Sequence, residues 1–144
     1  VKILGINHIG LAAADPQKAR WFLKEVLGLP FEGEELVITQ KTNTVMFATA
    51  HENSVKGHSR LEILENPAGE DGPIAKYLEK KGGGIHHLAL TVADIDAAIA
   101  HLKKLGVQMI DETPRNGAHH TRIAFVHPKA TGGILVELVG ESHS

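Results

Sequence analysis

Two histidines and two glutamates, His8, Glu62, His87 and Glu137, have the residue types and the spacing from which a metal site is built. His8 stands in the run Asn-His-Ile-Gly-Leu (7–11) and His87 in His-His-Leu-Ala-Leu (86–90). Side chains alternate faces along a strand. A strand over 6–13 groups His8 with Ile6, Gly10 and Ala12, and one over 85–92 groups His87 with Ile85, Ala89 and Thr91. Each of these histidines has a small residue two positions on, which leaves room beside the imidazole. His86 takes the opposite face with Leu88, Leu90 and Val92, a parity that suits packing. Glu62 interrupts the apolar run Arg-Leu-Glu-Ile-Leu (60–64), and Glu137 interrupts Leu-Val-Glu-Leu-Val (135–139). Short apolar runs of this kind make buried strands. An uncompensated carboxylate inside one costs on the order of several kcal/mol. No lysine or arginine occupies an equivalent place in both runs, whereas one bound cation would compensate both. Imidazole and carboxylate suit Zn, Ni, Co, Mn or Fe(II), and the donor set alone does not choose among them. Four protein ligands on an octahedral ion leave two adjacent positions for water or a bidentate substrate, which is catalytic rather than structural architecture.

The elements that position these residues come as a repeat. Residues 7–15 (NHIGLAAAD) align with 86–94 (HHLALTVAD), which sets His8 on His87, Leu11 on Leu90 and Asp15 on Asp94. Each segment continues into a helical pattern at i, i+3, i+4, i+7: Ala19, Phe22, Leu23 and Val26, then Ile95, Ala98, Ile99 and Leu102. Each helix ends at a Leu-Gly pair, Leu27-Gly28 or Leu105-Gly106, and glycine suits the left-handed residue after a helix. Each half closes on its glutamate-bearing strand. The expected fold class is α+β, two tandem βαβββ modules forming a metal-binding cleft. Strands are expected near 3–13, 35–39, 44–49 and 60–64, and again near 85–92, 107–112, 121–127 and 133–139. The chain reads as a single domain, 1–144, with modules of about 1–64 and 84–144. A linker helix near 72–81 joins them, with Asp71 and Pro73 at its start.

A chain of 144 residues suits one domain, and its 42% apolar and 22% charged composition is that of a soluble globular protein. The absence of cysteine removes disulfides, thiolate catalysis and zinc sites built on sulfur. A formal charge of −2 gives no basic surface for nucleic acid or an anionic membrane. No apolar run approaches a membrane span. The first residues lack the order of a signal peptide, so a cytoplasmic location is expected.

These features resemble the vicinal oxygen chelate (glyoxalase/dioxygenase) superfamily and, within it, the methylmalonyl-CoA epimerases. The matching stretches are 6–15, 22–29, 60–64, 72–98 and 114–139. The last is the most specific, with Gly-Ala-His (117–119), His-Pro-Lys (127–129) and Gly-Gly-Ile-Leu-Val-Glu-Leu (132–138). The resemblance implies an isomerase that inverts the α-carbon of methylmalonyl-CoA or a related acyl thioester, by proton abstraction and a metal-stabilised enolate. It implies one divalent ion per chain, Co, Zn, Ni or Mn, held by His8, Glu62, His87 and Glu137. It also implies an acyl-CoA as the small-molecule partner, a homodimer, and Glu137 as one of two bases. The family's second base, a glutamate seven residues before a strand phenylalanine, falls here on Gln40, counted from Phe47. Glutamine takes no proton at neutral pH, which leaves Glu34, Glu35, His51 and Glu52 as alternatives.

The alternative function is glyoxalase I, which uses the same metal set on a glutathione hemithioacetal. An Fe(II) dioxygenase is disfavoured by the Glu62 ligand, since that chemistry uses two histidines and one carboxylate. A binding or resistance protein on the same scaffold would lack the ligands. Among the other polar residues, His119 and His120 match a family histidine near the substrate. His127 reads as structural. His58, His101 and His143 read as solvated, as does the segment 50–60. Arg115, Arg122 and Lys129 are scattered cations within reach of CoA phosphates, and His86 is a candidate for a hydrogen bond behind the ligands.

Overall fold

A computed structural model describes residues 1–51, 59–67 and 71–141. The chain divides into two compact units, residues 8–86 and residues 1–7 with 87–144. Strand β1 (Ile3–Ala12) contributes His8–Ala12 to the first unit and its opening residues to the second.

In the unit 8–86, β1 runs into α1 (Pro16–Trp21). The Asp15 carboxylate accepts from the Lys18 N–H at 3.1 Å, and Pro16 occupies a position where no amide is needed. The helix then widens into a π-helical turn over Phe22–Val26, closed by Leu27 N–H donating to Phe22 O at 2.9 Å, before Gly28 turns left-handed at φ 70°. That turn corrects the expected apolar face. Leu23 is buried with Val45, Phe47 and Ile63, but Phe22 and Val26 are exposed. A face counted at 3.6 residues per turn drifts off the core once a turn takes an extra residue.

β2 (Phe31–Val37), β3 (Thr42–Ala48) and β4 (Arg60–Glu65) pair antiparallel in that order, and β4 pairs parallel with β1, Gly10 opposite Glu62. The strand expected at 35–39 starts earlier and stops at Val37. Residues 38–40 form a 3-10 turn, closed by Lys41 in the left-handed region (φ 50°) and by Thr42 Oγ1 donating to Gln40 O at 2.8 Å. α2 (Pro73–Lys81) lies where the linker helix is expected. Its first cap is Gly72 rather than Asp71, and the Gly72 N–H donates to the Asn66 side chain at 3.0 Å. Ile74 seats the helix on Ala12 and Leu64.

In the other unit, β5 (Gly84–Val92) contributes its residues from His87 on. Residues 1–7 flank it: Lys2 O accepts from Ala93 N–H at 3.0 Å, and the Asn7 amide donates to Thr91 Oγ1 at 3.1 Å. α3 (Ile95–Lys104) repeats the first module's start, with the Asp94 carboxylate accepting from Ala97 N–H at 3.0 Å. Ile95, Ala98 and Ile99 form its buried face, as expected. Gly106 follows in the left-handed region, φ 79°.

The strand expected at 107–112 is absent there among the described residues. A single bridge, Met109 to Val126, takes its place, because Ile110 and Asp111 both donate to Phe125 O and cannot continue a ladder. The short β6 (Arg115–Asn116) stands third in the module, beside β7 (Thr121–Val126). β8 (Val136–Glu141) pairs antiparallel with β7 and parallel with β5. It begins three residues later than expected, after Gly132 and Gly133 turn the chain at φ 80° and 103°. Gly140 lies so close to α3 that a Cβ would stand 2.9 Å from Ile95 Cβ.

Asp94→Ala is expected to cost about 1 kcal/mol by loss of the cap, read as a fall of several degrees in melting temperature. Gly140→Ala is expected to cost about 1–3 kcal/mol, because β8 and α3 must part. A Gly140→Ala protein as stable as wild type would show that this approach is relaxed.

Candidate metal centre

Each unit holds one buried histidine–glutamate pair on neighbouring parallel strands. In the unit 8–86, the register sets Gly10 of β1 against Glu62 of β4, so His8, two residues away, shares Glu62's face. His8 Nε2 lies 3.6 Å from Glu62 Oε1, and Glu62 is 3% exposed. In the other unit, Ala89 of β5 stands against Glu137 of β8, so His87 shares Glu137's face. His87 Nε2 lies 3.0 Å from Glu137 Oε1, and Glu137 is also 3% exposed. The two pairs occupy corresponding places in the repeat.

The parity read from the alternation holds, and burial sharpens it. The face carrying His8, Gly10 and Ala12 is buried, while Ile9 and Leu11 of the other face are only half-buried. His86 points away from His87 and meets the Tyr77 ring edge-on at 4.8 Å. Two carboxylates this deeply enclosed keep their charge only with strong compensation. One imidazole nitrogen and one carboxylate oxygen per unit, without sulfur, form a donor set that fits a divalent ion of the Zn, Ni, Co or Mn kind.

Sequence reasoning missed how His87 is held. Phe125 of β7 stands opposite Glu137, and its ring meets the His87 ring edge-on with centroids 5.6 Å apart. Register alone reveals this, because 38 positions of chain separate the two rings.

The second-base alternatives separate. Gln40 sits half-buried in the 3-10 turn between β2 and β3. Glu34 is bound by Arg20, which donates to it at 2.9 Å and to Glu65 at 2.6 and 2.8 Å, and Asn43 donates to Glu34 at 2.7 Å. The Arg20 guanidinium, followed by the Asn43 amide, holds the Glu34 carboxyl below its ordinary range, which weakens it as a base. Glu35 faces the other way. It is half-buried and stands opposite Thr44, whose neighbour across β4 is Leu64 and beyond that Ala12. Glu35 therefore lies on the same sheet face as Glu62 and His8. His51 is exposed, with Nε2 3.1 Å from Gly28 O. Glu52, His58 and His143 lie outside the described residues, as does most of the segment 50–60.

The remaining cations and histidines are spread over the unit that holds His87. His119 and His120 are exposed, both left-handed at φ 56° and 58°. His127 Nδ1 accepts from the Lys129 N–H at 3.1 Å and caps a 3-10 turn, as its structural reading requires. Lys129 and His101 are exposed. Arg122 pairs with Asp96 at 2.9 Å.

The family model described as "Glyoxalase/Bleomycin resistance protein/Dioxygenase superfamily" matches residues 7–125. The chain belongs to this superfamily. Its fold is the α+β glyoxalase-like one. The chain is similar to the uncharacterized protein YqjC of Bacillus subtilis, 39% identical over 96% of both chains. It is 37% identical to the human mitochondrial methylmalonyl-CoA epimerase over 92% of this chain and 72% of the relative. A solved structure of methylmalonyl-CoA epimerase in complex with methylmalonyl-CoA and NH4+ superposes with a TM-score of 0.86 at 34% identity, covering 98% of this chain and 96% of the other. Among the described residues of this superfamily member, no helix is long and apolar enough to cross a membrane.

The Arg20 pair carries a pH signature. A carboxyl whose folded value is depressed adds stability above the ordinary carboxylate range and loses it as pH falls through the depressed value. Arg20→Leu is therefore expected to destabilise the protein at neutral pH, and the gap to wild type should close on acidification. Chemical denaturation at a series of pH values measures this. A gap that stays constant into strong acid would show that Glu34 titrates normally.

Proposed function

We propose that this chain is a metal-dependent epimerase that inverts the α-carbon of methylmalonyl-CoA or a closely related acyl thioester. The observation that carries the reading is the buried histidine–glutamate pair, present once in each unit at corresponding positions. Relatives named as methylmalonyl-CoA epimerases weigh for a CoA thioester over a glutathione hemithioacetal. The family model spans both units, which supports one domain of two modules. The homodimer implied by the resemblance is supported by Ile3, Leu4 and Ile6, apolar side chains exposed at the start of β1 that a second copy would cover.

In this reading His8, Glu62, His87 and Glu137 hold one divalent ion. When bound, such an ion supplies Lewis acidity to a substrate carbonyl and so acidifies the neighbouring C–H. Glu137 takes the α-proton from one side. Gln40, where the family places a second base, has no basic oxygen to do the same. Glu35, the half-buried carboxylate on Glu62's face, is the acceptor we assign to the other side. Ala89 and Phe125, both buried, stand opposite Glu137 on its two neighbouring strands.

Equilibrium dialysis against Co or Zn is expected to give one ion per chain for wild type. His87→Ala should lose most of it and His86→Ala should stay near wild type. Equal loss from both would defeat the assignment by strand parity. In deuterated water with the metal-loaded protein, wild type should exchange the α-proton of methylmalonyl-CoA at least as fast as it interconverts the epimers. Glu35→Gln should lower epimerisation about 10²–10⁴-fold, the range of a general base, with metal content unchanged. Gln40→Glu should leave epimerisation near wild type, because Glu35 already supplies the second acceptor; a large gain would show that the second side lacks a base. Absence of both exchange and epimerisation with every metal would end the thioester reading and turn attention to the glutathione hemithioacetal.

A further inference from the structure

Arg115 is held in an arrangement that no other arginine of the described chain repeats. It stands on β6 opposite Ile123 of β7, two residues from Phe125 and on its face. Phe125 in turn stands opposite Glu137. The register thus puts the arginine on the same sheet face as a proposed ligand and base. Its guanidinium carbon lies 5.6 Å from the centroid of the Phe125 ring. That ring meets the His87 imidazole edge-on, so Phe125 separates a cation from a proposed metal ligand.

Asp111 anchors the arrangement from the side. Its Oδ1 lies 3.3 Å from Arg115 Nε, and its Oδ2 accepts the Phe125 N–H at 2.9 Å. One carboxylate therefore locates both the arginine and the strand that carries the ring. Asp111 is largely buried, whereas the Arg115 side chain is 33% exposed. The other arginines are engaged differently. Arg20 is clasped by Glu65 and Glu34, Arg60 meets Glu32 at 2.5 Å, and Arg122 meets Asp96 at two oxygens.

An acyl-CoA carrying a free carboxylate is anionic at both ends, so a guanidinium on the face that carries Glu137 offers it a further cationic contact. A planar guanidinium recognises carboxylate and phosphate with paired hydrogen bonds, and stacking on an aromatic ring orients the plane before the ligand arrives. We propose that Arg115 is the anion-recognising residue of the site, offering its guanidinium to an oxyanion group of the substrate. The group is the free carboxylate of the acyl part or a phosphate of CoA. This rests on the thioester reading above and extends it to substrate selection.

Titration calorimetry on metal-loaded wild type, Arg115→Gln and Arg115→Lys tests the assignment, with methylmalonyl-CoA, propionyl-CoA and CoA as probes. Arg115→Gln should bind methylmalonyl-CoA about 10- to 100-fold more weakly, the scale of a charge-assisted hydrogen bond. Arg115→Lys should recover part of the loss. A loss confined to methylmalonyl-CoA identifies the carboxylate as the group recognised, and an equal loss on all three probes identifies a phosphate. Metal content by dialysis should be the same in all three proteins. Unchanged binding of every probe by Arg115→Gln would overturn the proposal. So would a loss that follows a fall in metal content and that Arg115→Lys does not relieve, because Arg115 would then only support His87. If wild type itself binds none of the three probes, the thioester reading falls. Arg115 is then judged on methylmalonate and pyrophosphate, where equal affinity in wild type and Arg115→Gln overturns the anion-recognising role.

Discussion

A carboxylate enclosed in the interior of a strand must meet a compensating group, and this chain places two there. Glu62 and Glu137 each stand among apolar neighbours, almost out of reach of water. Each has an imidazole within 3.6 Å from the adjacent parallel strand. The strands beside them are arranged accordingly. β1 must lie next to β4, and β5 next to β8, for histidine and glutamate to share a face. Those neighbours are distant in the chain, so a helix and antiparallel strands occupy the connection in each module.

The two modules solve the same problem with the same local devices. Each helix starts on an aspartate that takes an N–H three residues on, and each ends at a glycine in the left-handed region. Each glutamate faces a small residue across the parallel pair, Gly10 or Ala89, which keeps space beside the carboxylate. Around this common frame the charged groups differ. Arg20 ties α1 to β2 and β4 through Glu34 and Glu65 on the side of the sheet away from Glu62. Arg115 lies on the side of Glu137. The same residue type is a strut in one unit and stands beside the candidate site in the other.

The departures from the expected pattern have local physical causes. The π-helical turn after Trp21 takes one more residue than an α-turn and moves Phe22 and Val26 off the core. The missing strand near 107–112 follows from two adjacent amides competing for one carbonyl, Phe125 O. Gln40 lies in a turn rather than on a strand, so its position relative to Glu62 does not follow from alternation. Glu35, which does alternate, comes onto Glu62's face only because β2 starts at Phe31 and keeps its register with β3 past the irregularity between Phe31 and Gly33.

Taken alone, the sequence determined the duplicated order of strands and helices, the two helix starts and ends, and which of the adjacent histidines matches His8. These are local properties: alternation, 3.6-residue periodicity, and residue types at chain breaks, all carried by neighbours within a few positions. It also singled out Glu62 and Glu137, because a carboxylate in an apolar run conflicts with burial wherever the strand lies. The tertiary structure decided which carboxylates share a face, since pairing register is a property of two strands and not of one. Register separated Glu35 from Glu34, brought Phe125 against His87, and put Arg115 on the face of Glu137. No spacing along the chain encodes those contacts, because each depends on how strands far apart in sequence hydrogen-bond to one another.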